Sequence, residues 1–133
     1  MDPALLQQLN QYVEVAMSGA ELVRNTFGSG LPKECYLDAL AVELKKSGLE
    51  VTINAEVPIV YDGQQLASSF PLDIVANSQI YVKVIAQQKI DRTDEARAKA
   101  GLRVSNLPMA LILNFSESSI RGDIRRIMNP NYQ

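Results

Sequence analysis

The chain has 133 residues, 47% hydrophobic and 21% charged, enough for one continuous core and too short for two independent ones. A formal charge of -2 argues against indiscriminate binding to nucleic acid, though not against a local basic face. Without histidine, and with Cys35 as its single cysteine, the chain lacks the means for Cys-His or Ser-His-Asp catalysis, the usual zinc sites and an internal disulfide. Cys35 reads as a small packing group, and any chemistry must rest on carboxylates, lysine or metal-bound water.

Asp2-Pro3 opens a helix over residues 1–26, with Asp2 as N-cap and proline in the first turn. Leu5, Leu6, Leu9, Val13, Ala16, Met17, Ala20 and Val23 form its apolar stripe. "FGSG" ends it, and Pro32 opens a second helix carrying Tyr36, Leu37, Leu40, Ala41 and Leu44, closed by Gly48. From Leu49 the period changes to two, which predicts a strand, and Asp62-Gly63 is a hairpin turn. Strands follow over Ser69–Ala76 and Ile80–Ala86, joined by Asn77-Ser78-Gln79. A helix is expected over Ile90–Val104, a buried strand over Met109–Phe115, a closing helix over Ile120–Met128 and a frayed tail over 129–133. This order implies one α/β domain spanning 1–133, a mixed sheet flanked by helices, with a right-handed parallel crossover into Met109–Phe115. No apolar run is long enough to cross a bilayer, and "MDPALLQQLN" lacks the basic start of a signal peptide, so a cytoplasmic protein with no membrane partner is expected.

The strings "FGSGLPKECYLDALAVELKKSGLEV", "VPIVYDGQQLASSFPLDIV", "QIYVKVIA", "MALILNF" and "IRGDIRRI" resemble, in order and spacing, the GxxExxY family, a branch of the PD-(D/E)XK nuclease superfamily. The likeness runs from about Val23 to Ile127. It implies a restriction-endonuclease-like core in which two acidic groups converge on magnesium and a lysine activates water and stabilises phosphate charge. Asp73 matches the first acid. Lys83 stands in place of the second acid and Ile85 in place of the lysine. Lys33 replaces the glutamate of the family's name motif, although Gly30 and Tyr36 are kept, and Arg97 and Gly101 replace its glutamine and tyrosine. Arg24 stands where many relatives carry histidine.

These departures imply a catalytically inactive nuclease fold, with no metal and no cofactor, that binds a protein partner, nucleic acid or another anionic ligand. Lys33, Lys83 and Arg97, with Arg24 nearby, are the candidate anion site. Equally open is a reading in which Asp73 merely pairs with Lys83 and Arg97 is solvated. The alternative to an inactive fold is a rearranged nuclease using magnesium or manganese. There Lys83 replaces the lost lysine, and Asp38, Glu43 or Glu34 supplies a second carboxylate. Arg121, Arg125 and Arg126 are expected as a solvated face of the closing helix. The apolar N-terminal helix, "IYVKVIA" and "MALILNF" leave a homodimer possible.

Overall fold

The computed structural model describes residues 1–132 and places five strands in one sheet, in sequence order. The elements are α1 (Pro3–Phe27), α2 (Lys33–Lys46), β1 (Val51–Tyr61), β2 (Gln64–Ala76), β3 (Ile80–Ile85), α3 (Arg92–Ser105), β4 (Met109–Asn114) and β5 (Ile124–Met128), with one turn of 3-10 helix at Ile120–Gly122. Neighbouring strands are antiparallel except β3 and β4, which are parallel and connected through α3. The result is the mixed α/β sheet flanked by helices that the sequence predicts.

Local chemistry sets the helix ends. Asp2 accepts a hydrogen bond from the Ala4 amide at 3.3 Å, and at α3 Asp91 and Asp94 cap each other's backbone amides reciprocally. The α1 stripe packs with Tyr36, Leu37, Leu40 and Leu44 of α2 on one face of the sheet. On the other face α3 contributes Ala98, Gly101 and Leu102. With both faces covered, β3 and β4 are buried throughout except at Lys83, which is half-buried. Asp62 and Gly63 both take positive φ, 53° and 74°, as a tight two-residue hairpin turn requires, so β2 pairs from Gln64 rather than from Ser69. Cys35 is exposed on α2, contrary to the packing role expected of it.

The expected closing helix is instead the 3-10 turn followed by β5, which pairs with β4 from Leu113–Ile124 to Met109–Met128. Ile124 packs into the core beside α1 and α2, whereas Ile127 packs into the core beside α3. A spacing of three resembles one helical face, but along a strand it sends two side chains to opposite faces. Nor do the three arginines form a solvated helical face. Arg121 pairs with Glu21 at 2.9 Å and Glu14 at 3.2 Å, Arg125 with Glu95 at 3.0 Å and Asp123 at 3.2 Å, and Arg126 approaches Glu14 at 3.9 Å.

Asn129, which the sequence reading assigns to the fraying tail, is 5% exposed. Its amide donates to the Pro108 carbonyl at 2.9 Å, and its Nδ2 donates to the carbonyls of Leu102 and Leu107. Gln133 lies outside the described residues. Among those described, no helix is long and apolar enough to cross a membrane.

Candidate functional site

Asp73 sits where the sheet comes apart. Leu72 packs towards α3, yet Ile74, two residues on, packs towards α1 and α2, so the strand's alternation breaks at Asp73. The opposing residues Ile53 and Ala55 reverse in the same way around Asn54, whose φ is 52°. Beyond this kink β2 and β3 diverge: their ladder ends at the Ile74–Val82 pair, while β3 continues alongside β4 as far as Ile85. The Val84 amide, left without a partner on β2, donates to Asp73 Oδ2 at 2.9 Å. A carboxylate thus extends the ladder where backbone cannot.

The wedge opens into a cavity of about 320 Å³ lined by Lys33, Phe70, Pro71, Asp73, Tyr81, Lys83 and Arg97. A second cavity of similar size shares Lys33, Lys83 and Arg97 and runs past Leu31, Pro32 and the end of β3 to Asp94. Three elements deliver the shared cations. Lys83 lies on the α3 side of β3 because Tyr81 and Ile85, two residues either way, face that core. Arg97 reaches in from α3. Lys33 is the first residue of α2, and the loop before it is pinned by Tyr36, whose hydroxyl donates to the Gly28 carbonyl at 2.6 Å and accepts from the Leu31 amide at 3.1 Å. The Tyr36 ring is fully buried and stacks on Phe115 with centroids 4.7 Å apart.

Of the expected site residues, Lys33, Asp73, Lys83 and Arg97 meet in one cleft. The partner of Asp73 is Lys33, whose Nζ lies 3.0 Å from Oδ1, and not Lys83. Ile85 borders the second cavity but is 4% exposed and belongs to the α3 core. Arg24 does not join the cluster, since its Nε donates to the Glu117 carbonyl at 2.8 Å. Glu34, Asp38 and Glu43 line neither cavity, so the carboxylates considered for a rearranged nuclease are not brought to Asp73. The aromatic wall of Phe70 and Tyr81 was not singled out from sequence. Its available signal was Tyr81, which lies two residues before Lys83 and so on the same strand face.

Gly101 lines neither cavity and acts on the wall from behind. A Cβ there would lie 2.9 Å from Tyr81 Cε2 and 3.2 Å from both Leu72 Cδ2 and Phe70 Cε1. Alanine's helical advantage over glycine, about 1 kcal/mol, works against this clash with a buried ring. Gly101→Ala is therefore expected to lose about 1–2 kcal/mol of stability in urea denaturation. A gain would show that the ring yields freely.

Burial pushes the Lys83 ammonium below the ordinary lysine range; Lys33 and Arg97 push the same way, while Asp73 and Asp94 oppose. Burial, reinforced by Asp73 and opposed by Arg97, raises the Tyr81 hydroxyl, keeping it a neutral donor. These groups do not fit a magnesium centre. A hard divalent ion needs an oxygen-rich octahedron, but Asp73 is the one carboxylate of the first cavity, and both its oxygens are engaged. In the second, Asp94 Oδ2 already accepts from the Asp91 amide and Gln87 Nε2. Among the described residues no three acidic, cysteine or histidine side chains gather around one point.

Comparison with curated proteins and with solved structures finds no match. A family model described as the PD-(D/E)XK nuclease superfamily does match, over residues 10–127, nearly the whole chain. That match agrees with the mixed five-stranded sheet flanked by helices, and the chain belongs to the PD-(D/E)XK nuclease superfamily.

Proposed function

We propose that this domain, a member of the GxxExxY branch, is catalytically inactive and uses its cleft to bind an anionic ligand without cutting it. The ion pair between Lys33 and Asp73 carries this reading. It places an ammonium 3.0 Å from the carboxylate oxygen that a metal would otherwise share, while Val84 holds the other oxygen. A divalent cation would have to displace Lys33 and then sit among Lys83 and Arg97, a repulsive arrangement in a partly buried site. An anion meets the opposite field. Lys83 and Arg97 form no ion pair among the described residues and remain available for it. Nucleic acid and an acidic protein segment both carry such charge.

Single- and double-stranded DNA and RNA, incubated with magnesium or manganese beside a chelator control and Asp73→Ala, are expected to stay intact. Cleavage abolished by both controls would establish the rearranged nuclease instead, with Lys83 the next residue to replace.

A further inference from the structure

Resting on the anion-binding reading, we propose that the cleft takes a phosphate monoester dianion carried on a flat apolar group. The head lies between Lys33, Lys83 and Arg97, and the body lies against Phe70, Pro71 and Tyr81. Three cations against the one carboxylate of Asp73 leave a surplus of two positive charges in the first cavity. The Lys33–Asp73 contact largely cancels itself, so the surplus resides on Lys83 and Arg97. A dianion matches that charge, and the guanidinium fork and the ammonium suit phosphate oxygens.

The walls on either side differ. Phe70, Pro71 and the edge of the largely buried Tyr81 line one side with apolar surface, and the cavity's 320 Å³ is at the small end for organic ligands, which begins at about 300 Å³. On the other side the channel leads to Asp94, so a chain bearing a second phosphate in that direction meets a carboxylate. A single terminal head is favoured over a continuous polyanion. Tyr81 also lines this cavity, and its hydroxyl, neutral near pH 7 like any tyrosine's and pushed further up by burial, stays a donor across the alkaline range in which Lys83 loses its charge.

The charged and titratable groups lining the first cavity are Lys33 of α2, Asp73 of β2, Tyr81 and Lys83 of β3 and Arg97 of α3, while Asp94 of α3 lines the adjoining cavity beyond the head. A monoester gains its second charge above about pH 6. Lys83 loses its charge below the ordinary lysine range. Affinity should therefore rise on passing pH 6 and fall again on the alkaline side earlier than normal lysine titration would give.

Isothermal titration of the full chain tests this with phenyl phosphate, methyl phenyl phosphate, inorganic phosphate, and a short oligonucleotide with and without a 5′-phosphate. Phenyl phosphate should bind at least about tenfold more tightly than the singly charged diester, with that pH profile. Arg97→Gln and Lys83→Gln should each weaken it by about tenfold to a hundredfold, and Arg126→Gln, outside the cleft, should leave it unchanged. Arg97 is exposed, so its variant folds even if the Lys83 variant does not. A preference for the 5′-phosphorylated oligonucleotide over the unphosphorylated one supports the proposal with a chain end as the source. Phenyl phosphate binding without that preference supports it with a small molecule as the source. Equal binding of monoester and diester, or binding of the unphosphorylated oligonucleotide alone, overturns the monoester while leaving the anion site standing. Silence from every probe overturns both.

Discussion

Asp123→Ala lowers the free energy of unfolding by about 3 kcal/mol, because it strands two buried donors at once. Asp123 is 9% exposed, and its Oδ2 accepts from the Ile90 amide at 2.9 Å and from Asn114 Nδ2 at 3.1 Å, while Oδ1 takes Arg125. Asn114 is fully buried at the end of β4, so alanine leaves its amide facing a void. Each buried donor left unsatisfied costs about 1–3 kcal/mol, whereas the arginine contact, 43% exposed on the Arg125 side, adds little after solvent screening. Asp123→Asn, whose oxygen can still accept from both Ile90 and Asn114 while its amide turns towards Arg125, should cost about half as much or less. Urea denaturation of the three proteins gives the comparison. A loss below about 1 kcal/mol for alanine would mean that water replaces the carboxylate. The consequence reaches the cleft, because Ile90 immediately precedes the cap of α3 and α3 delivers Arg97. Loosened anchoring should weaken anion binding in the same variant, although Asp123 lines neither cavity.

Most of the sheet could be read from the sequence because its signals are local. The α1 stripe, the period-two run from Leu49, the Asp62-Gly63 turn and the apolar runs of β3 and β4 each specify an element without outside information. β5 was misread for a physical reason: Ile124 and Ile127 serve two different cores, and a spacing of three has one meaning on a helix and another on a strand. Lys33, Asp73, Lys83 and Arg97 could be named as candidates only through the family resemblance, and it is the fold that shows them meeting in one cleft. Their pairing was not readable either. Whether Asp73 meets Lys33 or Lys83 depends on the kink opposite Asn54 and on β2 parting from β3 after Ile74, neither of which leaves a local pattern in the sequence. Gly101 shows the same limit. It can be named as the place of a missing tyrosine, yet its demand for a bare backbone comes from the Tyr81, Leu72 and Phe70 side chains supplied by β2 and β3.

Asp73→Asn is expected to change stability and ligand affinity in opposite directions. Asparagine Oδ1 can still accept from the Val84 amide, so the wedge between β2 and β3 persists. What disappears is the charge that Lys33 neutralises. Lys33 is 38% exposed, so that pair is partly screened and its loss should cost about 1 kcal/mol in denaturation. Lys33 is then free to join Lys83 and Arg97, and the carboxylate no longer repels an incoming dianion, so phenyl phosphate should bind about tenfold more tightly. The pH profile should move as well. Asp73 supports the charged form of Lys83, so its removal drives that ammonium still lower, and the alkaline loss of binding begins earlier. The linkage sign follows: a lysine whose folded pKa lies below its unfolded value binds fewer protons when folded. Stability from this group therefore rises with pH between the two values, and that interval widens in Asp73→Asn. In a metal-dependent nuclease the same substitution removes a ligand of the ion and abolishes function. Loss of anion affinity in Asp73→Asn, with the fold intact by denaturation, would therefore return Asp73 to a direct role in ligand or metal handling and reject the cationic cleft as the binding site.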